Sequence, residues 1–291
     1  MKEDLSFYDE NSSQLALLAQ DSSYSLSPFI HEKSAELLSR DVSYQSLCVS
    51  PSENLSALLE KLKKDGISGF NVTNPFKRKI TNYVDSSGLL SVNTVSLRKD
   101  GTWKAYSTDG EGFYGSMNRN GFDIESFEAL CFFGSGDVIF SLLDFLKNLV
   151  QGQSIYFIRR SSSRDEEFKK YFSRSIFLPF EPSSLEVVLN QHNSTDNICL
   201  IQATSAPMKG SSLEEFIPKL SAFKGVFCDL LYSRPSAMYK YLKERKERVI
   251  DGLPMLMEQA LLSQKIWWGE SVSYDLLKKE LESYLKQKEI V

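Results

Sequence analysis

Lys77 follows Asn71-Val72-Thr73-Asn74-Pro75-Phe76 and falls just inside a predicted helix. That end of a helix is electrostatically unfavourable for a cation. Thr73 places a hydroxyl four residues before it. Such a lysine is either a solvated charge, as Arg78 and Lys79 beside it would be, or a group turned toward a bound molecule. Ser25-Leu26-Ser27-Pro28, with His31 soon after, sets two hydroxyls at another helix start. The free N–H groups of a helix start favour an anion there, or Ser27 is simply the N-cap. Gly134-Ser135-Gly136 permits a tight turn and a close approach of backbone to a pyrophosphate. Farther on, Ile158-Arg159-Arg160-Ser161 ends a strand with two guanidinium groups that suit a phosphate, or that are merely exposed. Asn93 is a polar strand end, and Asp109 is placed to cap the helix that follows it.

The elements that must hold these residues alternate between strand and helix. Leu15–Ala19 reads as a strand, and Ser27 then caps a helix with Pro28 at its first position. Tyr44–Val49 is a second strand. Leu55, Leu58, Leu59 and Leu62 line one face of a helix that Gly66 can end. Gly69–Thr73 is a third strand and Pro75–Tyr83 a helix. Strands around Leu89–Leu97 and Trp103–Tyr106 flank Lys99-Asp100-Gly101, a hairpin signal. From Ala129 the strands become short, continuous apolar runs: Ala129–Phe133, Ile155–Ile158, Ile176–Phe180, Ile198–Ile201 and Val226–Leu231. Runs of that kind suit parallel strands buried on both faces, with helices between them in a doubly wound sheet. Pro254–Trp268 and Tyr274–Lys288 read as closing helices.

Composition narrows the function classes. The 291 residues can form two domains with real cores. Hydrophobic residues are 42% and charged residues 25%, ordinary for a globular enzyme. A net charge of −4 supplies no basic field, so no nucleic-acid partner is expected. Met1-Lys2-Glu3-Asp4 leads into no apolar run, and no stretch approaches the ~20 apolar residues of a membrane span. Neither a signal peptide nor a membrane partner is expected. Cys48, Cys131, Cys199 and Cys228 form no Cys-x-x-Cys, and there are two histidines, so no metal is expected. Buried thiols in a reducing cytoplasm are the simpler reading.

Asn71-Val72-Thr73-Asn74-Pro75-Phe76-Lys77 resembles the Asn-Val-Thr-x-Pro-Phe-Lys signature of the shikimate dehydrogenases. Other motifs follow in that family's order. Ser25-x-Ser27-Pro28 and His31 match its N-terminal motif. Ser91-Val92-Asn93-Thr94 keeps the Asn-Thr of its Gly-Ala-x-Asn-Thr, and Thr108-Asp109-Gly110-Glu111-Gly112-Phe113 is similar to Asn-Thr-Asp-x-x-Gly-Phe. Gln202-Ala203-Thr204-Ser205 resembles Asn-Ala-Thr-Ser, and Asp229-Leu230-Leu231-Tyr232 resembles Asp-x-x-Tyr. Gly252-Leu253-Pro254-Met255-Leu256-Met257-Glu258-Gln259 looks like Gly-x-x-Met-Leu-x-x-Gln. The dinucleotide loop departs from the family's Gly-Ala-Gly-Gly-Ala. Asp137 replaces a glycine and repels phosphates unless it turns away, and Ile139 stands where a small residue usually packs.

The resemblance implies an α/β fold in two domains. An N-terminal α/β substrate domain would take 1–108 plus 237–291, the C-terminal helices returning to it. A Rossmann-like doubly wound dinucleotide-binding domain would take 109–236, with a cleft closing on substrate. It implies NADP-dependent, reversible reduction of 3-dehydroshikimate to shikimate, with Lys77 as the catalytic acid or base and Asp109 as its partner. Ser25 and Ser27 would hold the substrate carboxylate, and Thr73, Asn93, Asp109 and Gln259 its hydroxyls. Gly134, Ser135, Gly136, Arg159, Arg160, Ser161, Thr204, Tyr232 and Met255 would line the cofactor, with Arg160-Ser161 at the position of the Arg-Thr that grips the 2′-phosphate of NADP. A cytoplasmic monomer or homodimer would fit. Two alternatives stay open: an enzyme that also takes quinate, and a non-catalytic shikimate-binding relative with a decayed cofactor site.

Overall fold

A computed structural model of the chain describes residues 12–288, and it divides into two compact units. One unit runs to Gly112 and resumes at Met257; the other is Phe113–Leu256.

The first unit is built on five strands in the order β2-β1-β3-β4-β5. In chain order its elements are β1 (Ser12–Ala19), α1 (Ser27–Leu37), β2 (Asp41–Cys48), α2 (Leu55–Lys64), β3 (Ile67–Val72), α3 (Phe76–Lys79), β4 (Thr94–Leu97), β5 (Trp103–Tyr106) and the start of α4 (Asp109–Arg119). β1 lies parallel to β2 and β3, and β4 and β5 add antiparallel. Alternation along β1 sorts its side chains onto two cores. Ala16 and Leu18 pack with Leu55, Leu59 and Leu62 of α2, while Leu15, Leu17 and Ala19 pack with Trp267 and Trp268. The indole of Trp267 donates to the Val95 carbonyl across β3 (2.9 Å). A methyl group on Gly69 would stand 2.4 Å from that indole nitrogen, so the strand must be bare there.

The second unit is a six-stranded, all-parallel sheet in the order β11-β10-β9-β6-β7-β8. Its elements are β6 (Ala129–Phe133), α5 (Asp137–Leu146), β7 (Ser154–Arg159), α6 (Asp165–Lys169), β8 (Ile176–Pro179), α7 (Pro182–Asn190), β9 (Ile198–Gln202), β10 (Val226–Asp229), α8 (Ala237–Glu244), β11 (Arg248–Ile250) and the start of α9 (Gly252–Trp268). This is the doubly wound order, with the strand sequence reversing direction at β6. All of β6 is buried: Leu130 and Phe132 enter one core, Ala129, Cys131 and Phe133 the other. That explains why these strands read as unbroken apolar runs. α9 and α10 (Tyr274–Gln287) close the chain.

Several boundaries differ from those expected. Residues from 237 onward were expected in the first unit, yet the second unit runs to Leu256 and β11 pairs in parallel with β10 of its sheet. The residue flanking α1 is Leu26, with no side-chain cap; Ser27 is already helical, so it is not the N-cap. The helix expected over Pro75–Tyr83 is four α-helical residues and then a 3₁₀ turn, Ile80–Asn82. The strand expected from Leu89 begins only at Thr94.

Candidate active site

Lys77 is fixed by what lies on either side of it. The Thr73 N–H donates to Leu18 of β1 (3.0 Å), and the Thr73 carbonyl accepts from Phe76 (2.9 Å). Phe76 is fully buried and anchors the first turn of α3. The Lys77 carbonyl accepts from Val92 (3.1 Å), which ties the turn to the segment that carries Asn93. From this seat Nζ reaches both carboxylate oxygens of Asp109, at 2.7 and 3.0 Å. The lysine side chain is 12% exposed and the aspartate 1%. Asp109 is the first residue of α4, where a carboxylate is favoured by the helix dipole.

Asn93 organises the pair. Its Nδ2 donates to Thr108 Oγ1 (2.8 Å), to Asp109 Oδ1 (3.1 Å) and, more weakly, to Gln259 Oε1 (3.4 Å). Its Oδ1 accepts from the Thr108 N–H (2.8 Å). Lys77, Asn93, Asp109 and Gln259 therefore form one hydrogen-bonded cluster. Behind it, Asn71 Nδ2 is shared among the Asn93 carbonyl (3.1 Å), Thr94 Oγ1 (3.1 Å) and Ser263 Oγ (3.3 Å), and Asn71 Oδ1 accepts from the Tyr44 hydroxyl (2.7 Å).

Ser25, Ser27 and Thr73 stand outside that cluster. Ser25 Oγ accepts from the Ser27 N–H (3.3 Å) at the start of α1. Burial pushes the Tyr44 phenol well up, and the Ser27 hydroxyl beside it acts in the opposite direction. Ser27 thus approaches the network through Tyr44. Thr73 is half-buried at the end of β3.

His31 is 2% exposed, stacked on Tyr44 and edge-on to Trp267. Burial lowers it to about 3, partly opposed by the Asn71 side chain. The folded protein therefore holds this imidazole neutral, while the unfolded chain takes up a proton near pH 6.5. Stability from this group is complete above pH 6.5 and falls as pH drops toward 3, by about 1.4 kcal/mol per pH unit. We expect His31→Gln to flatten the slope of melting temperature against pH in that window. An unchanged slope would remove His31 from the acid response.

In the second unit, Gly134 follows β6 with φ +110°, and a Cβ on it would lie 2.8 Å from Thr204 Cγ2. Gly136 is the N-cap of α5 and brings no side chain to its free N–H groups. This loop therefore has the form of a phosphate cradle. We expect Gly134→Ala to weaken dinucleotide binding by at least tenfold, about 1.4 kcal/mol, because φ and Thr204 both oppose a methyl group. A calorimetric affinity equal to wild type would contradict this.

The other residues expected to line the cofactor divide. The Thr204 N–H donates to Gln202 Oε1 (2.5 Å), which sets the turn after β9. Arg160 is exposed, with its guanidinium 4.8 Å from the Phe180 ring centre. Ser161 accepts from the Ser163 N–H (3.2 Å). Tyr232 is half-buried just beyond β10. Arg159 is engaged elsewhere: its guanidinium makes a two-pronged pair with Asp165 (2.9 and 2.6 Å) and donates to the Leu178 carbonyl (3.1 Å). Met255 is buried in the core of the unit. Fork geometry fixes the arginine, and apolar packing encloses the methionine. Asp229 is held at the end of β10 by N–H groups of Leu231 (3.1 Å) and Ser236 (2.7 Å), and burial raises its carboxyl despite these donors.

The family model described as the shikimate dehydrogenase substrate binding domain matches residues 17–95. A Shikimate dehydrogenase (NADP(+)) of Prochlorococcus marinus is 30% identical, over 93% of this chain and 97% of its own length. The chain belongs to the shikimate dehydrogenase family. The Nitrosopumilus maritimus protein of the same name is 29% identical over 91% of this chain and 97% of its own. The solved shikimate dehydrogenase of Aquifex aeolicus shares the fold, with a TM-score of 0.77 at 23% identity, over 93% of this chain and 97% of that one.

The family-model match takes in Ser25, Ser27, Thr73, Lys77 and Asn93 of this shikimate dehydrogenase relative and ends before Asp109. Sequence reasoning missed three members of the site. Ser263 lies one helical turn beyond Gln259, a spacing that could have revealed it. Tyr44 reads only as a strand residue. Arg164 lies 2.8 Å from Asp137 and also from the Ser135 carbonyl. Among the described residues no group of His, Cys, Asp and Glu could hold a metal, and no helix is long and apolar enough to cross a membrane.

Proposed function

We propose that this protein is an NADP-dependent shikimate dehydrogenase that interconverts 3-dehydroshikimate and shikimate. The observation that carries the reading is the two-oxygen Lys77–Asp109 pair, steadied by Asn93, in a chain of that family. The first unit binds the substrate and the second the cofactor. Ser25 and Ser27 hold the carboxylate of the substrate at the start of α1. Thr73, Asn93, Asp109 and Gln259 receive its hydroxyls. Bound NADPH supplies hydride chemistry. In reduction, the substrate oxygen takes its proton from Lys77 as the carbonyl becomes an alcohol; in oxidation Lys77 accepts that proton. Asp109 orients the ammonium and keeps a countercharge on it. Gly134, Ser135 and Gly136 offer the pyrophosphate a bare loop and a helix N-terminus. Arg160 and Ser161 face the 2′-phosphate, with Arg159 confined to bracing the segment through Asp165.

The deciding assay follows nicotinamide absorbance with shikimate and NADP, with NAD and quinate as parallel arms. Turnover with shikimate and NADP, absent in Lys77→Ala, supports the reading. Turnover with quinate at a similar rate would widen the substrate assignment. No turnover from folded protein under any pairing would favour a binding relative.

A further inference from the structure

Asp137 is the feature of the glycine loop that the proposed function does not use. It is the first residue of the ten-residue helix α5, 9% exposed, directly after the N-cap Gly136. Its Oδ1 lies 2.8 Å from Arg164 Nη1. That oxygen nevertheless meets no aligned donor, while an N–H of the same Nη1 goes to the Ser135 carbonyl (2.8 Å). The attraction between Asp137 and Arg164 is therefore coulombic contact, and Arg164 keeps a separate hold on the loop.

We infer that Asp137 sets the dinucleotide affinity of this protein: it is a fixed counter-anion at the pyrophosphate position, which Arg164 offsets. The inference rests on the NADP reading above. A carboxylate at a helix N-terminus occupies the potential that would otherwise favour a phosphate. A bound pyrophosphate brings further negative charge to the same place, so Asp137 weakens it and Arg164 strengthens it. The pyrophosphate is common to NAD and NADP. Its neighbour must therefore act on both cofactors alike, unlike Arg160, whose phosphate belongs to NADP alone.

The test is calorimetric titration of the full chain with NADP and with NAD. Asp137→Asn keeps the shape and leaves the Arg164–Ser135 bond in place. It should tighten both cofactors by a similar factor, about threefold or more for one charge at close range. Arg164→Gln should weaken both, and the double variant, which removes one charge of each sign, should fall between the singles. If Asp137→Asn does not fold, Asp137→Gly is read the same way. Unchanged or weaker binding of both cofactors by folded Asp137→Asn overturns the inference, and so does a gain confined to NADP. In either case a wild type that binds NADP leaves the cofactor reading standing. A wild type that binds neither, beside an Asp137→Asn that binds, supports the inference. No binding by wild type or any variant removes the inference and the cofactor reading together.

Discussion

Lys77→Ala should lower kcat about 10²- to 10⁴-fold, the range supplied by a positioned acid or base, while the Kd for shikimate changes far less. The asymmetry follows from the layout. Under the proposed function, Ser25, Ser27, Thr73, Asn93, Asp109 and Gln259 remain to hold the ligand, whereas the group that exchanges a proton is gone. Lys77→Arg should lose a similar factor, since guanidinium does not give up its proton in proteins. Single-turnover kinetics with separate equilibrium binding would divide the two quantities. A near-normal kcat in Lys77→Ala would take this lysine out of the chemistry. So would a fall in binding as large as the fall in rate, because that would make Lys77 an anchor.

Asp109→Asn should damage both rate and stability. The aspartate is 1% exposed and its partner 12%, so the substitution leaves an ammonium nearly enclosed without its countercharge. Removing one member of a buried pair costs about 3–5 kcal/mol, and the remaining solvent access of Lys77 places this case toward the lower end. The rate should fall by about 10² or more, because the ammonium is no longer held at two points. Adding Asp109→Asn to Lys77→Ala should cost little further rate, since the residues act as a unit. Additive losses of kcat in that cycle would show that Asp109 contributes to the chemical step independently of the lysine, beyond its hold on a substrate hydroxyl. Denaturant unfolding of the variant tests the stability half, and a midpoint equal to wild type would contradict it.

Much of this site was legible because its residues sit in short local motifs. Thr73 and Lys77 share one strand-to-helix turn, and the strand before it was legible as Gly69–Thr73, against an observed Ile67–Val72. The apolar runs of β6, β7, β9 and β10 were legible because burial on both faces leaves no polar alternation. Other features depend on distant partners. Lys77 and Asp109 are 32 positions apart, and only a family likeness joins them in one dimension. β11 has three residues, the first exposed, and it exists because β10 offers an edge to pair with. Arg159 and Arg160 look equivalent in sequence. Asp165, six residues past Arg159, claims one of them through α6 and leaves the other exposed. Ser27 before a helix reads as a cap, but the chain already turns helical at Leu26, so its hydroxyl is released from that duty.

The slot that Gly69 leaves for Trp267 has a consequence for the order of synthesis. The two residues are 198 positions apart, yet the indole fills the bared strand and bonds to Val95. The second unit is one continuous stretch, so a ribosome that has released Leu256 has delivered all of it. The first unit at that moment has its strands but lacks Trp267 and Trp268, and Leu15, Leu17 and Ala19 still want the packing those rings give. The part of the protein that is translated first is therefore the part that finishes folding last. Until α9 emerges, its half-covered sheet is the surface most exposed to mispairing and to capture by chaperones.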